Sequence, residues 1–204
     1  MNAGRPRDAT GSVRIIGGRW RGTRLQVPQS PGLRPTSDRV RETLFNWLQP
    51  VLAGARVLDL FAGSGALGLE AVSRGATDAQ LVESDPSLAQ ALRAAAQRLC
   101  ADNEVTVDCA DALAWLRQSH APLFDIAFVD PPFAAGLWPA VLEALPARLA
   151  PAAWLYLESP AGQVPAVSAE WAVHRESATR EARYALYQRV TLPAMHSSGF
   201  LAAI

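Results

Sequence analysis

Leu58-Asp59-Leu60-Phe61-Ala62-Gly63-Ser64-Gly65-Ala66-Leu67-Gly68 carries an apolar run through two glycines into a helical pattern. Gly63 and Gly65 allow a tight turn and a close approach of ligand to main chain. The helix start behind them leaves backbone N–H groups unpaired. Gly63 to Gly68 fits GxGxxG, a pattern that by itself suits a dinucleotide equally well. Asp59 and the intervening Phe61-Ala62 point elsewhere. A carboxylate in the strand just before the turn can bind the α-ammonium of a methionine moiety, but sits poorly beside a pyrophosphate. S-adenosyl-L-methionine is therefore the expected cofactor, with Asp59, Phe61, Gly63 and Gly65 around it.

Working outward from this turn, strands and helices alternate. Strands are predicted over 56–60, 79–83, 105–109, 124–129 and 154–158. Helices are predicted over 66–74, 86–100, 112–118 and 137–149, the first closed by Gly75 and the second opened by Pro86. This rhythm predicts an α/β fold with a parallel, doubly wound, Rossmann-like sheet and right-handed crossovers. After Gly162 the pattern changes. Residues 171–176 and 184–192 alternate apolar and polar side chains around a polar turn at 179–183, as a terminal antiparallel pair would.

Ligands of open α/β sheets bind at the carboxyl ends of strands. Glu83 ends the second strand, where it can accept both hydroxyls of a ribose. Asp111 follows the third, where Asp111 and Ala112 can meet an adenine ring, and Asp111 can also cap the next helix. The fourth strand, 124–129, runs into Asp130-Pro131-Pro132-Phe133. Two prolines remove two N–H donors and fix φ twice. The Pro131 carbonyl and Asp130 then form two acceptors suited to one N–H₂ group, and Phe133 offers a face on which a base can stack. An exocyclic base amine is a poor nucleophile because its lone pair is delocalised. Two acceptors can hold it toward tetrahedral geometry, and alignment supplies much of the acceleration. Asp130, Pro131, Pro132 and Phe133 are the candidate catalytic residues of an amino-methyltransferase.

Upstream, Ser37 or Thr36 caps a helix predicted over 37–52, with Val40, Leu44, Phe45 and Leu48 on its apolar face and Arg39, Arg41 and Glu42 facing elsewhere. Before it, 13–17 and 23–27 read as a hairpin around Gly17-Gly18-Arg19-Trp20-Arg21-Gly22, and 28–35 as a loop. The divisions expected are a disordered arm (1–12), a basic hairpin (13–30), the catalytic domain (31–192) and a tail (193–204).

Charge separates along the chain although the total is zero. Residues 1–45 hold nine arginines against three acids, and the other 159 hold ten arginines against sixteen acids. Lysine is absent, so every basic side chain is a guanidinium able to fork onto phosphate or stack on a base. Arg19, Arg21 and Arg24 are the hairpin candidates for RNA phosphates, Arg39 for the rim of the active site, and Thr36 for the methionine carboxylate. Trp20 is placed either on a base or against the sheet. The two cysteines lack the spacing of a metal site and are expected as free, partly buried thiols, and no metal is expected. His120, His174 and His196 form no pattern. With half its residues hydrophobic and no apolar run long enough for a bilayer, the chain is expected to be cytoplasmic, with no membrane partner and monomeric. The nearest rivals are DNA adenine N6 and a protein glutamine as the amine. The basic hairpin argues for nucleic acid over protein, and the absence of a separate recognition domain argues weakly against duplex DNA. A noncatalytic ribosome-assembly factor is a further alternative.

The match extends beyond single motifs. Together with the Asp59–Gly65 turn and Asp130-Pro131-Pro132-Phe133, the stretches Arg14-Ile15-Ile16-Gly17-Gly18-Arg19-Trp20-Arg21-Gly22 and Leu33-Arg34-Pro35-Thr36-Ser37-Asp38-Arg39-Val40-Arg41-Glu42-Thr43-Leu44-Phe45-Asn46-Trp47-Leu48 resemble the RsmD family. The resemblance covers roughly residues 13–190. It implies a class I S-adenosylmethionine-dependent fold with a seven-stranded sheet, last strand antiparallel. It also implies methylation of guanine N2 at the position called 966 of 16S rRNA, within the 30S subunit or an assembly intermediate. Cofactor roles carry over to Asp59, Gly63, Gly65, Glu83 and the Asp111-Ala112 pair, and the catalytic role to Asp130–Phe133.

Overall fold

The computed structural model describes residues 11–28, 36–118 and 123–190. The arm up to residue 10, the loop at 29–35, His120, His196 and the tail lie outside the described residues. A two-stranded antiparallel sheet, β1 (Gly11–Arg14) and β2 (Arg24–Val27), precedes α1 (Asp38–Leu52). There follow β3 (Arg56–Asp59), α2 (Ala66–Ser73), β4 (Asp78–Glu83), α3 (Pro86–Arg98), β5 (Val105–Cys109), α4 (Ala112–Arg117), β6 (Phe124–Val129), α5 (Trp138–Ala144), β7 (Leu149–Pro160), β8 (Trp171–Ala178) and β9 (Ala182–Arg189). The seven later strands form one sheet in the order β5-β4-β3-β6-β7-β9-β8. All pair in parallel except β9, which runs antiparallel to both neighbours. This is the fold of class I S-adenosylmethionine-dependent methyltransferases, with the terminal antiparallel pair expected from the alternation.

The pleat sorts side chains by parity. Val57, Leu81, Ile126, Phe128 and Tyr156 point to one face and pack with Leu44, Phe45 and Leu48 of α1 and Leu69 and Val72 of α2. Leu58, Val82, Ala127, Val129, Leu155 and Leu157 point to the other and pack with Trp115 of α4 and Val141 of α5. Helix α1 begins where its cap requires, with the Ser37 hydroxyl accepting from Val40 N at 3.4 Å.

Four expectations need correction. The helix predicted over 137–149 ends at Ala144. Pro146 has no N–H to continue it, and Leu145–Arg148 forms a 3₁₀ turn before β7 begins. β7 accordingly runs twelve residues, far beyond 154–158, because β6 and β9 pair with it on both sides. In the hairpin, β1 takes Gly11 and Ser12 out of the expected arm and stops at Arg14; Ile15 N still donates across to Thr23 O (2.9 Å), and the two amides after it have another acceptor. Ile16 N and Gly17 N each donate to the Glu70 carboxylate at 2.7 Å. Finally, both cysteines are free but exposed.

Arg41 was expected on a solvated face and is instead wholly buried. Its Nη2 donates to the Arg14 carbonyl (2.8 Å) and to Asp38 (2.6 Å), and its Nη1 lies 3.6 Å from Glu70 Oε2. Glu70, also buried, further accepts from Arg74 Nε at 2.7 Å. One carboxylate thus joins the hairpin to α1 and α2. The second seam is Gly18. Its φ is +72°, and a Cβ there would fall 1.8 Å from the Ser73 carbonyl, so no other residue fits. That contact lets Arg19 N donate to the same carbonyl at the end of α2 (2.8 Å).

Candidate active site

The same parity rule positions the chemistry. Asp59, Glu83 and Asp130 follow Val57, Leu81 and Phe128 by two residues, so all three acids stand at carboxyl ends on one face of the sheet. Asp59 is buried, and its Oδ2 accepts from Gly68 N at 2.9 Å. Burial drives its pKa up to about 7; the Gly68 hydrogen bond works against this and the charge of Glu83 adds to it. Such a carboxyl is short of a cation.

The turn after β3 is closed by Gly65 N donating to Ala62 O at 2.7 Å. Gly65 sits in the left-handed region (φ +73°), where a Cβ would lie 2.5 Å from Leu92. Gly63 N donates to Glu83 Oε2 at 2.8 Å, and Glu83 Oε1 accepts from Asp85 N at 2.8 Å. Glu83 is therefore oriented from two sides, beside the turn. Phe61 packs half-buried against the α4 side of the core. Asp111 caps α4, accepting from Ala114 N at 2.8 Å, while Ala112 is buried behind it.

At the end of β6, Pro131 is buried and Pro132 exposed. The Pro132 carbonyl accepts from Ala135 N (2.9 Å), whereas none of the described residues donates to the Pro131 carbonyl. Phe133 leans on Trp138, with ring centres 5.9 Å apart and planes at 42°, and keeps its outer side partly open. Burial holds the Asp130 carboxyl well above the usual range, and the charges of Glu158 and Asp59 raise it further.

Glu158 was not singled out from the sequence. It lies near the end of β7, one register step beyond the Val129–Leu157 pair, and so stands beside Asp130 on the same face. It is 7% exposed. Its Oε1 accepts from the Tyr156 hydroxyl (2.5 Å) and from the Thr36 hydroxyl (3.1 Å). Its carbonyl accepts from Trp138 Nε1 (2.9 Å). Burial raises its pKa, and the Tyr156 and Thr36 hydrogen bonds oppose that rise. The Tyr156 phenol is pushed well up, chiefly by burial and then by Glu158, and stays a donor. The signal that found Asp59 and Glu83, an acid at a strand's carboxyl end, was present for Glu158 too, the last residue of the strand predicted over 154–158.

The basic side chains divide. Arg14 pairs with Asp38, and Arg19 with Glu104 while covering the Trp20 ring at 4.3 Å. Trp20 is half-buried against the main core. Arg21, Arg24 and Arg39 are exposed, with no ion pair among the described residues.

Comparison with known proteins agrees with this architecture. The family model described as Conserved hypothetical protein 95 matches residues 13–188. The Ribosomal RNA small subunit methyltransferase D of Escherichia coli K12 is 50% identical over 183 residues, covering 88% of this chain and 91% of that protein. Its Haemophilus influenzae counterpart is 41% identical, covering 89% and 96%. The solved structure of yhhF from Escherichia coli superposes with a TM-score of 0.81 at 46% identity, covering 88% of this chain and 99% of that one. With its seven-stranded sheet and the turns after β3 and β6 all inside the matched region, the chain belongs to the RsmD family of methyltransferases.

Proposed function

We propose that the chain transfers a methyl group from S-adenosyl-L-methionine to the exocyclic N2 of a guanine in 16S rRNA, the one called 966, within the small subunit or its assembly intermediate. Supporting this above all is Asp130 on the sheet face that also carries Asp59, followed directly by the Pro131 carbonyl, to which no described residue donates. The residues present fit the cofactor. Asp59, a buried carboxyl short of a cation, would hold the α-ammonium, and Glu83 the ribose, with Gly63 and Gly65 admitting the ligand against the main chain and Asp111-Ala112 and Phe61 bordering the adenine. When bound, S-adenosylmethionine supplies a methyl group already activated as a sulfonium.

The chain's own part is positioning. Asp130 and the Pro131 carbonyl accept the two N2 hydrogens and hold the nitrogen lone pair out of conjugation. Phe133, backed by Trp138, takes the base on its open face. The amine becomes acidic only as it is methylated, so Asp130 need not be a strong base beforehand. The target guanine must leave its stack to reach this depth. Arg21, Arg24 and Arg39 face phosphate, and their contribution falls with salt. Asp130→Ala should keep cofactor binding by calorimetry and lose methyl transfer by orders of magnitude. Turnover close to that of the native chain in this variant would sink the mechanism.

A further inference from the structure

Glu158 has more acceptor capacity than the fold uses. Thr36 and Tyr156 both donate to Oε1, and no described residue donates to Oε2. The side chain as a whole is buried, and Oε2 is not among the fully enclosed side-chain atoms that lack a partner, so this oxygen keeps access to a ligand. The register puts it beside Asp130, and its own carbonyl anchors Trp138, on which Phe133 leans. The acceptor of the amine, the free carboxylate oxygen and the stacking platform therefore share one corner.

Resting on the guanine reading above, we propose that Glu158 reads the base, accepting the N1–H of guanine through Oε2 while Asp130 accepts from N2. Guanine presents N1–H and N2–H side by side on its Watson–Crick edge, two adjacent donors facing two adjacent carboxyls. Adenine presents an acceptor at N1, which would face the Glu158 carboxylate without a hydrogen between them. A site built for a donor rejects an analogue lacking it, because the buried oxygen is then left unpaired. Thr36 and Tyr156 fix the carboxylate in position. Thr36 lies at the start of α1, so the N-terminal segment would help to set base choice.

The test uses small subunits reconstituted with 16S rRNA carrying guanine or 2-aminopurine at the methylated position. 2-Aminopurine keeps the amine and lacks the N1 hydrogen. Native enzyme should favour guanine by roughly 10- to 100-fold in kcat/KM, the range of one hydrogen bond to a charged group. Glu158→Gln, which can turn its amide N–H₂ toward an acceptor, should narrow that preference to within about threefold, with cofactor affinity unchanged. Formation of N2-methylguanosine with equal use of both bases by the native enzyme overturns the role of Glu158 and leaves the guanine reading standing. So does an undiminished preference in the variant. Absence of N2-methylguanosine overturns the guanine reading and this inference with it.

Discussion

Replacing Asp59 by asparagine should stabilise the free protein and at the same time weaken its hold on the methyl donor. The Asp59 carboxyl ionises at about 7 in the folded chain, against an ordinary 3.8. The folded state thus binds this proton more tightly than the unfolded one. Stability from this group is complete below pH 3.8 and is lost as pH rises through 7. At about 1.4 kcal/mol per pH unit, the loss reaches about 4 kcal/mol at pH 8. Asparagine keeps an oxygen to accept from Gly68 N and has no charge to bury. Urea denaturation of both proteins between pH 4.5 and 8 should therefore show the variant gaining on the native chain as pH rises, by up to about 4 kcal/mol. Calorimetry should show the reverse for ligand, a loss of roughly 10- to 100-fold in affinity for S-adenosylmethionine, as expected for a charged hydrogen bond. On the proposed role of Asp59, the ammonium would bind the ionised form, so affinity should fall about tenfold per pH unit below 7 as that form becomes scarce. A stability difference independent of pH, or an asparagine variant that binds the donor like the native protein, would refute the reasoning.

Two further changes probe the front of the chain. Reversing charge at Arg19 and Arg21 should weaken RNA binding and flatten its salt dependence by about 0.8 in slope, the share of one contact, without altering cofactor affinity, as filter binding across salt concentrations would show. Because Arg19 already faces Glu104, Arg21→Glu alone should account for most of the loss, and unchanged RNA affinity in the double variant would exclude the hairpin from the interface. Glu70→Gln should cost about 3 kcal/mol in urea denaturation, since it leaves the buried Arg41 guanidinium with the exposed Asp38 carboxylate as its sole acidic partner among the described residues. Amide exchange at Ile16 and Gly17 should then speed up more than exchange in β3, and equal protection in both proteins would show that Glu70 does not fasten the hairpin.

What was legible in the sequence divides along the range of the interactions involved. The turn after β3, the Ser37 cap and the acceptors after β6 are local. Each is set by residues within a few positions, and glycine, serine and proline have few other uses there. The alternation of strands and helices was legible for the same reason, because parity and helical period are local too. The break at Pro146 was also local, and its missing N–H was there to be read. Arg41 and Glu158 were not local. Arg41 lies at a helical position that reads as solvated, until Glu70 and the Arg14 carbonyl, 27 residues away, are brought to it. Glu158 gains its meaning from Thr36, 122 residues distant, and from Asp130 at the end of the neighbouring strand. The excess of arginine over acid near the N-terminus is a composition, and its meaning for RNA depends on how many of those charges the fold itself consumes. Among the described residues Arg41 is buried and Arg14 and Arg19 are paired, so the field offered to phosphate comes from Arg21, Arg24 and Arg39. Those three contacts contribute about −2 to −3 to the salt slope, against about −4 to −5 for the six described arginines of residues 1–45 had the fold consumed none of them.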